Sequence, residues 1–426
     1  MKYTLNPLDS LRGDINIPPD KSLSHRAVMF NSIANGEARI SNFLMGEDCL
    51  STINVLSNLG VEIKVENNNV YTYGKGINSL NEPTDTLFVG NSGTTIRLMS
   101  GVLAGRKFTS VMDGDSSIRK RPMKRIIEPL SMMGANISAN NNNDNAPILF
   151  NGGRLKNLNY DLPVASAQLK SALILAGLRS EDGIIIREKA VSRDHTERLL
   201  SAMGAKITKS NLEIQVKSSE LFARDIVIPG DISSASFWLV AGAIHGNADI
   251  YIRNVGINET RSGIISVLKR MGANMTFSNE VDFSGEPACD MNIKTSNLKG
   301  TTISGSEIPL LIDELPIIAL AAVFAEGETK IIDAKELRYK ESDRISLTVN
   351  WMKSAGAKIE ELDDGMIITG TGNLNGGTFS SHGDHRLAMT LGIASLVSNN
   401  NISIDNPEAS NVSYPTFWDT LKNLGE

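Results

Sequence analysis

The hydrophobic and polar positions repeat one pattern along the chain: an amphipathic helix ends at a glycine, and an alternating strand follows. Glycine just after a helix is a common C-cap, and alternating apolar and polar residues are typical of a strand. The pattern therefore predicts six α/β units, spaced by roughly 70 residues. The phrases that carry it are LSNLGVEI (56–63), LSMMGANI (130–137), LSAMGAKI (200–207), LKRMGANM (268–275), MKSAGAKI (352–359) and LKNLG (421–425), with glycines Gly60, Gly134, Gly204, Gly272, Gly356 and Gly425.

A second repeated phrase divides these units into two sets of three. IPPDKS (17–22) and IPGDIS (228–233) share the frame I-P-x-D-x-S, and proline and glycine suit points where a chain crosses between domains. Division there gives one discontinuous domain, 1–19 plus 231–426, and a second domain, 20–230. We expect two similar α/β domains of three repeated units each, joined by a two-stranded hinge. The alternative is one elongated repeat array, although the period is long for a solenoid.

Composition narrows the class of protein. The chain has 426 residues, of which 41% are hydrophobic and 21% charged, so a large core is expected. The net charge of −6 argues against a general nucleic-acid binder. The two cysteines lie far apart, which fits a reducing compartment. The apolar run at 315–325 is too short to span a bilayer, and the N-terminus lacks a signal-peptide run. We expect a cytoplasmic protein without membrane association.

Basic residues recur at predicted helix starts, where the helix dipole disfavours cations. The stretch IPPDKSLSHRA (17–27) predicts a helix with Lys21 and Arg26 in its first turn, closed by Gly36. Pro122 is expected at the first position of another helix. Similar placements occur at Arg97 in GNSGTTIR, Arg119, Lys120 and Arg121 in SSIRKRPMKR, Ser192 and Arg193 in SRDHTER, Lys340 and Arg344 in KESDRISL, and His385 and Arg386 in HGDHRLAM.

A bound anion would remove this conflict, because backbone N–H groups, the dipole and the cations would all point at it. Arginine also matches carboxylate and phosphate in bidentate geometry. The motifs come from both predicted domains, so we expect a site between the domains that takes more than one anionic group.

Other common site chemistries are not indicated. No G-x-x-x-x-G-K-[ST] loop occurs, and GNSGTT is not G-x-G-x-x-G, which argues against ATP or NAD binding by the usual routes. The five histidines and two cysteines show no metal-ligand spacing, with HGDH (382–385) the nearest candidate. We expect no metal.

Two carboxylates stand out, and each has two interpretations. Asp313, in the apolar run IPLLIDELPIIALAA, is either the N-cap of a helix that starts near Glu314 or a carboxylate tuned by burial. Glu341, flanked by Lys340 and Arg344, is either part of a surface ion pair or an acid/base group within a cationic site.

Taken in order along the whole chain, these motifs resemble the 5-enolpyruvylshikimate-3-phosphate synthases (3-phosphoshikimate 1-carboxyvinyltransferases) of the enolpyruvyl transferase family. The resemblance implies two threefold domains of the inside-out α/β barrel type that close over the substrates. It implies transfer of the enolpyruvyl group of phosphoenolpyruvate to the 5-hydroxyl of 3-phosphoshikimate, with release of phosphate and without a cofactor. This step belongs to the shikimate pathway to chorismate and the aromatic amino acids. The matching motifs are DKSLSHRA, GNSGTTIRL, DGDSSIRKRPM, SAQLKSALILAGL, SRDHTER, IPGDISSA, LIDELP, LRYKESDR and GDHRLAM.

The resemblance also implies roles for particular residues. Asp313 would take the proton from the 5-hydroxyl, and Glu341 and Lys21 are the alternatives for proton transfer at the methylene carbon. The implied contacts to 3-phosphoshikimate are Lys21, Ser22, Arg26, Ser166, Ala167, Gln168, Ser192, Arg193, Asp313 and Lys340. The implied contacts to phosphoenolpyruvate are Lys21, Gly93, Arg121, Gln168, Arg344, His385 and Arg386.

Three positions depart from a well-studied branch of the family. Val412 replaces a lysine of that branch, Glu336 an asparagine and His195 a tyrosine. Because Val412 removes one expected phosphoenolpyruvate contact, Lys340 or another cation would have to supply it. Gly93 is retained, so the pocket at that turn is not narrowed by a methyl group, and we expect inhibitors of the glyphosate type to act weakly to moderately.

The main alternative is the sister enolpyruvyl transferase that acts on UDP-N-acetylglucosamine. That enzyme typically carries a reactive cysteine in the loop that matches 113–122, and this chain has none there. A second alternative is a binding protein without catalytic activity. The joint presence of four candidate site residues argues against it: Lys21, Asp313, Glu341 and Arg386. We expect a monomer with small-molecule partners.

Overall fold

The structure is a computed structural model that describes residues 2–425, with the side chain of Asn143 excepted. Its helices are α1 Lys21–Ser32, α2 Glu47–Asn58, α3 Gly93–Leu103, α4 Lys124–Met132, α5 Asn140–Asn143, α6 Ala167–Gly177, α7 His195–Ala202, α8 Ile232–Ile244, α9 Gly263–Met271, α10 Ile308–Leu311, α11 Leu315–Val323, α12 Arg344–Ser354, α13 His385–Ser395 and α14 Phe417–Gly425. Short 3₁₀ turns are Ile118–Lys120, Gly305–Glu307, Ile312–Glu314, Lys335–Tyr339 and Pro407–Val412.

The strands are β1 Lys2–Leu5, β2 Leu11–Asn16, β3 Asn35–Ser41, β4 Glu62–Glu66, β5 Asn69–Lys75, β6 Leu87–Phe88, β7 Thr109–Asp113, β8 Ala135–Ala139, β9 Asn145–Gly153, β10 Leu158–Asp161, β11 Ile184–Arg187, β12 Ile207–Ser210, β13 Glu213–Val216, β14 Ile226–Val227, β15 Ala248–Gly256, β16 Asn274–Phe283, β17 Glu286–Lys294, β18 Thr302–Ile303, β19 Glu328–Ile331, β20 Lys358–Leu362, β21 Gly365–Thr369, β22 Gly377–Ser380 and β23 Ile402–Asp405.

The chain forms two compact units, each with its own hydrophobic core. The first unit comprises Met1–Pro18, Pro229–Asp282 and Pro287–Glu426, and the second comprises Pro19–Ile228 and Phe283–Glu286. Each core is built on three helices that are almost wholly buried: α8, α11 and α13 in the first unit, and α1, α3 and α6 in the second. Buried helices with apolar residues on all sides belong in the core of a large domain, not on its surface.

Each unit contains three sheets with the same strand order. In the second unit these are β14-β3-β5-β4, β6-β7-β9-β8 and β10-β11-β13-β12; in the first they are β2-β15-β17-β16, β18-β19-β21-β20 and the three-stranded β22-β23-β1. The first two strands of every sheet run parallel. A buried helix precedes the second strand in each case, as α3 precedes β7. The six predicted α/β units are therefore present, three in each unit.

The sixth repeat differs from the others. A hairpin strand supplies the third position in the other sheets, whereas β1 from the start of the chain pairs antiparallel with β23. Five of the predicted helix-ending glycines have left-handed backbone, with φ between 88° and 97°. The sixth, Gly425, is instead the last residue of α14.

Three predictions about where helices begin and end are wrong. Helix α1 ends at Ser32, and Gly36 lies in β3 with a φ of 115°. Since α1 begins at Lys21 and a turn takes 3.6 residues, Arg26 lies in the second turn and not the first. Pro122 is not at a first helical position, because α4 begins at Lys124 after a 3₁₀ turn. The residue before a proline is pushed to extended backbone, as Arg121 is here, which keeps the two helical segments apart.

The two I-P-x-D-x-S phrases have equivalent local structures. Asp20 caps α1 by accepting from the Leu23 N–H at 2.8 Å, and Asp231 caps α8 by accepting from the Ser233 N–H at 2.8 Å. The Asp231 N–H also donates to the Pro18 carbonyl at 2.9 Å. The shared phrase is thus the start of a buried helix in each unit. Over the described residues 2–425, no helix is both long enough and apolar enough to cross a membrane.

Candidate active site

In the second unit, the N-terminal ends of α3 and α6 meet. Ser166 is the N-cap of α6, accepting from the Leu169 N–H at 3.4 Å, and Ala167 is the first helical residue. Gln168 follows, and its Oε1 accepts from Arg97 Nη1 of α3 at 2.6 Å. The predicted SAQ contacts are therefore the first turn of a buried helix. The partial positive charge at this helix end favours an anion.

Gly93, the first residue of α3, lies next to two guanidinium groups. A Cβ at Gly93 would lie 2.8 Å from Arg121 Nη1 and 3.6 Å from Arg97 Nη1. Arg121 Nη2 donates to Asn91 Oδ1 at 2.6 Å, which holds it beside the turn. Two guanidiniums at a helix N-terminus can bind a phosphate or carboxylate through charge-assisted hydrogen bonds.

Lys21 is the first residue of α1, and its Nζ donates to Asp48 Oδ2 at 3.0 Å. The two side chains are 18% and 12% exposed. The carbonyl of the next residue, Ser22, accepts from Arg26 Nη1 at 3.0 Å. The DKS motif thus presents one partly exposed ammonium group and positions the Arg26 guanidinium behind it.

Arg26 is 3% exposed and is bound by side chains from two other helices. Its Nε donates to Thr196 Oγ1 at 2.8 Å, and its Nη2 donates to Ser171 Oγ at 3.0 Å. Burial, together with the positive charge of nearby Arg193, lowers the pKa of Arg26 to about 10. An anion bound at these two arginines would relieve their repulsion.

Ser192 is buried within the second unit and held by hydrogen bonds. It is 2% exposed, and both its N–H and its hydroxyl donate to Glu188 Oε1, the former at 3.2 Å. Arg193 is only partly buried and follows directly. The predicted phosphate-binding pair therefore consists of an anchored serine and an arginine nearer to the surface.

In the first unit, Asp313 lies between two cations. Its Oδ1 is 3.2 Å from both Lys340 Nζ and Arg344 Nη1. The N-cap of α11 is Glu314, so the alternative in which Asp313 caps this helix is wrong. Asp313 lies instead in the 3₁₀ turn Ile312–Glu314 that precedes α11, 15% exposed at the edge of the core.

Arg344, the first residue of α12, joins three carboxylates although its side chain is only 1% exposed. Besides Asp313, it donates from Nη2 to Glu341 Oε2 at 2.7 Å and from Nε to Asp384 Oδ2 at 2.9 Å. Burial disfavours the charged guanidinium, but these carboxylates outweigh it and raise the pKa of Arg344 above its ordinary value. Glu341, whose own side chain is 29% exposed, thus pairs with a buried arginine.

Asp384 caps α13, and the two residues that follow it are the predicted site residues His385 and Arg386. Its Oδ1 accepts from the Arg386 N–H at 2.8 Å. Although burial opposes ionisation, Arg344 holds the pKa of Asp384 below its ordinary value. Arg386 Nη1 donates to the Ser233 carbonyl at 3.1 Å, so the N-terminal ends of α8 and α13 meet.

The predicted residues thus form two groups, one in each unit. In both groups, the cations lie in the first two turns of helices or in the turns that precede them, as Lys21 and Arg26 do in α1, Arg344 in α12 and Arg386 in α13. The second-unit group is Lys21, Ser22, Arg26, Gly93, Arg121, Ser166, Ala167, Gln168, Ser192 and Arg193; the first-unit group is Asp313, Lys340, Glu341, Arg344, His385 and Arg386.

Comparison with known proteins identifies the family. Residues 5–421 match the family model for EPSP synthase (3-phosphoshikimate 1-carboxyvinyltransferase). The chain belongs to this family. A protein from Bacillus cereus (strain G9842) named 3-phosphoshikimate 1-carboxyvinyltransferase is 51% identical over 425 residues, 99% of each chain. One of the same name from Herpetosiphon aurantiacus is 48% identical and covered over the full length of both. An EPSP synthase structure from Acinetobacter baumannii is 41% identical, with a TM-score of 0.90 over 100% of this chain and 98% of that one.

These matches confirm the predicted family and the predicted fold class. They also support the 3-phosphoshikimate 1-carboxyvinyltransferase activity over the UDP-N-acetylglucosamine alternative. The family model and both named relatives carry the name 3-phosphoshikimate 1-carboxyvinyltransferase.

The structure places the three residues that differ from the well-studied branch of EPSP synthases: His195, Glu336 and Val412. His195 begins α7, and its Nδ1 lies 2.9 Å from Glu286 Oε1, with both side chains nearly fully buried. Glu336 and Val412 lie in the 3₁₀ turns Lys335–Tyr339 and Pro407–Val412. Lys340, the expected substitute for a cation at Val412, pairs with Asp313.

Sequence reasoning missed several charged residues of these EPSP synthase groups. Asp384 had a local signal, since an aspartate before an apolar helix is a typical N-cap. Lys170, which lies 3.2 Å from Glu188, and Arg261, which lies 2.9 Å from Glu314, had none, because these partners lie on other elements. Among residues 2–425, no three His, Cys, Asp or Glu side chains are grouped to hold a metal ion.

Proposed function

We propose that this chain transfers the enolpyruvyl group of phosphoenolpyruvate to the 5-hydroxyl of 3-phosphoshikimate and releases phosphate. The observation that carries the proposal is the placement of cations in or beside the first two turns of helices in both units of an EPSP synthase family member. Both substrates carry phosphate and carboxylate groups, so their mutual repulsion must be neutralised before they can react.

For 3-phosphoshikimate, the supporting contacts are in the second unit. The positive charge of Arg193 helps to lower the pKa of Arg26, and a phosphate bound beside the two guanidinium groups would stabilise that charge. The proposed ligands there are Lys21, Ser22, Arg26, Ser166, Ala167, Gln168, Ser192 and Arg193, with Asp313 and Lys340 from the first unit.

For phosphoenolpyruvate, the turn at Gly93 provides the clearest support. Arg121 lies against this glycine, and Gln168 reaches the same turn through Arg97. A phosphate or carboxylate there would meet guanidinium and backbone N–H donors together. The proposed ligands are Lys21, Gly93, Arg121, Gln168, Arg344, His385 and Arg386.

The reaction needs a base, a proton donor and stabilisation of charge. Asp313 is proposed to take the proton from the attacking 5-hydroxyl, since Lys340 and Arg344 hold its carboxylate in a fixed position. Protonation of the methylene carbon places positive character on the neighbouring carbon, which Glu341 can stabilise. Glu341 and Lys21 remain the alternative donors of that proton. Loss of phosphate and of a methyl proton from the tetrahedral adduct then gives the enol ether.

Phosphate release tests the proposal. The purified chain is mixed with phosphoenolpyruvate and either 3-phosphoshikimate or UDP-N-acetylglucosamine, and free phosphate is followed over time. We expect release with the first acceptor and background with the second. Phosphate release only with UDP-N-acetylglucosamine, or with neither acceptor, would refute the proposal.

We further infer that the chain acts as a monomer in the cytoplasm and is inhibited weakly to moderately by compounds of the glyphosate type. The two cysteines are buried thiols that form no disulfide with each other, which fits a reducing compartment. Retention of Gly93 supports access of a small anionic inhibitor to the turn beside Arg121. The location of the substrates between the two domains, and the hinge that would close them, stay predictions.

A further inference from the structure

A buried set of three charged side chains surrounds the Ser192 loop of the second unit. Lys170 Nζ lies 3.2 Å from Glu188 Oε2 and 2.7 Å from Glu197 Oε1. The Lys170 and Glu188 side chains are 0% exposed and Glu197 is 7% exposed. The three residues come from α6, from the segment after β11 and from α7. We call this set the buried triad.

The buried triad binds every backbone and side-chain hydrogen-bonding group of Ser192. Lys170 Nζ donates to the Ser192 carbonyl at 3.1 Å. Glu188 Oε1 accepts from the Ser192 N–H at 3.2 Å and from its hydroxyl. One carboxylate and one ammonium group therefore fix the position of Ser192, and through it the start of the loop that carries Arg193.

The same triad is linked to Arg26 through the residues beside it. Ser171, next to Lys170, accepts from Arg26 Nη2 at 3.0 Å, and Thr196, next to Glu197, accepts from Arg26 Nε at 2.8 Å. Ser171 and Thr196 also share a hydrogen bond of 2.6 Å. The arrangement thus sets the positions of Arg26 and of the Ser192 loop relative to one another.

Stability alone does not account for three buried charges. Removing charged groups from water is costly, and apolar side chains of similar volume often fill such places as well or better. A buried ionic set can instead select one arrangement of the segments that it joins.

We propose that Lys170, Glu188 and Glu197 are positioning residues that hold Ser192, Arg193 and Arg26 in the arrangement that binds the phosphate of 3-phosphoshikimate. This inference rests on the proposed function for the identity of the ligand. The three triad residues are not among the proposed substrate ligands, so the role inferred for them is positioning. The effect of the triad is therefore specific to one of the two substrates, because the Gly93–Arg121 turn is built from other residues.

The test measures KM for each substrate, kcat and thermal stability in Glu188→Gln. The glutamine can still accept from Ser192, but it loses the charge that pairs with Lys170. We expect KM for 3-phosphoshikimate to rise about tenfold, with kcat and KM for phosphoenolpyruvate changed less than about threefold. Glu181→Gln removes an exposed ion pair with Arg154 in the same unit and is the matched control. It should leave kcat, both KM values and the thermal stability unchanged.

A second variant separates positioning from folding. Lys170→Met, Glu188→Gln and Glu197→Gln together remove all three charges of the triad. Arg26 loses the nearby carboxylate of Glu197 but keeps those of Asp20 and Glu286, so this triple variant should melt near the wild-type temperature. We expect it to show the same selective rise in KM for 3-phosphoshikimate. Unchanged KM for this substrate in the folded triple variant, or an equal rise for both substrates, would overturn the inference.

Calorimetric titration with 3-phosphoshikimate alone keeps the two proposals distinguishable. A wild-type chain that binds this ligand without turnover would contradict the proposed function, whereas the change in Kd from wild type to the triple variant would still test the triad. Equal Kd values for the two proteins would refute the positioning role.

Discussion

Arg344 Nε donates to Asp384 Oδ2 at 2.9 Å, and both side chains are almost completely removed from solvent. Asp384 also caps α13, so the pair fixes the start of α12 against the start of α13. The remaining guanidinium nitrogens then hold Asp313 and Glu341. One buried arginine therefore positions the two carboxylates that the proposed chemistry needs.

Asp313→Asn tests the proposed base. The amide keeps the volume of the side chain but cannot accept the 5-hydroxyl proton, so we expect kcat to fall by about 10²–10⁴-fold. KM for both substrates should change little, because the cations that bind the anionic groups remain. Steady-state kinetics measure this, with Asp363→Asn as the exposed control in the same unit. Near-normal kcat in Asp313→Asn would mean that another group is the base.

Arg344→Met tests the structural importance of the buried arginine. The substitution leaves Asp384 buried without its cation, and we expect the free energy of unfolding of the first unit to fall by about 3–5 kcal/mol. Arg270→Met removes a half-exposed pair with Glu307 and should cost about 1 kcal/mol or less. Urea denaturation followed by circular dichroism compares the two. Equal losses would show that burial of Arg344 adds nothing to its pairing.

Gly93→Ala tests the turn beside Arg121. The new Cβ would lie 2.8 Å from Arg121 Nη1, closer than side chains normally approach, so the guanidinium must move. We expect KM for phosphoenolpyruvate to rise about tenfold, as for loss of one charge-assisted hydrogen bond, with KM for 3-phosphoshikimate unchanged. Inhibition by glyphosate should weaken in parallel. Gly246→Ala, where the Cβ meets no atom within 4 Å, is the control. An unaltered KM for phosphoenolpyruvate would contradict a role for this turn.

The sequence predicted the features that depend on neighbouring residues. The helix starts near Lys21 and His385 and the five left-handed glycines follow from capping and periodicity, which are local, although Asp384 itself was not singled out. The end of α1 was misplaced because apolar spacing continues past Ser32 into the following turn. The pairing of Arg344 with Asp384, 40 residues later, was not predictable, since nothing in either local pattern records which elements pack together.

A buried histidine in α1, His25, predicts how the stability of the second unit depends on pH. His25 is 0% exposed, and its Nδ1 lies 2.7 Å from Thr52 Oγ1. Thr52 is hydrogen-bonded to Thr95 at 2.7 Å, and Thr95 to the α3 cap Ser92 at 2.7 Å. Burial, aided by the charges of Lys21 and Arg26 and opposed by that of Asp48, lowers the pKa of His25 from 6.5 to about 3.

Below pH 6.5 the unfolded chain therefore binds a proton at His25 that the folded chain does not, and stability falls as the pH falls towards 3. Between pH 7 and pH 5 this histidine should cost the second unit about 2 kcal/mol, a loss that His25→Gln should lack. Thr52→Val is the matched control: it should lower stability by about 1 kcal/mol at every pH and keep the same slope, because His25 stays buried. Urea denaturation at pH 7, 6 and 5 measures all three proteins. A wild-type slope that persists in His25→Gln would show that other groups cause it.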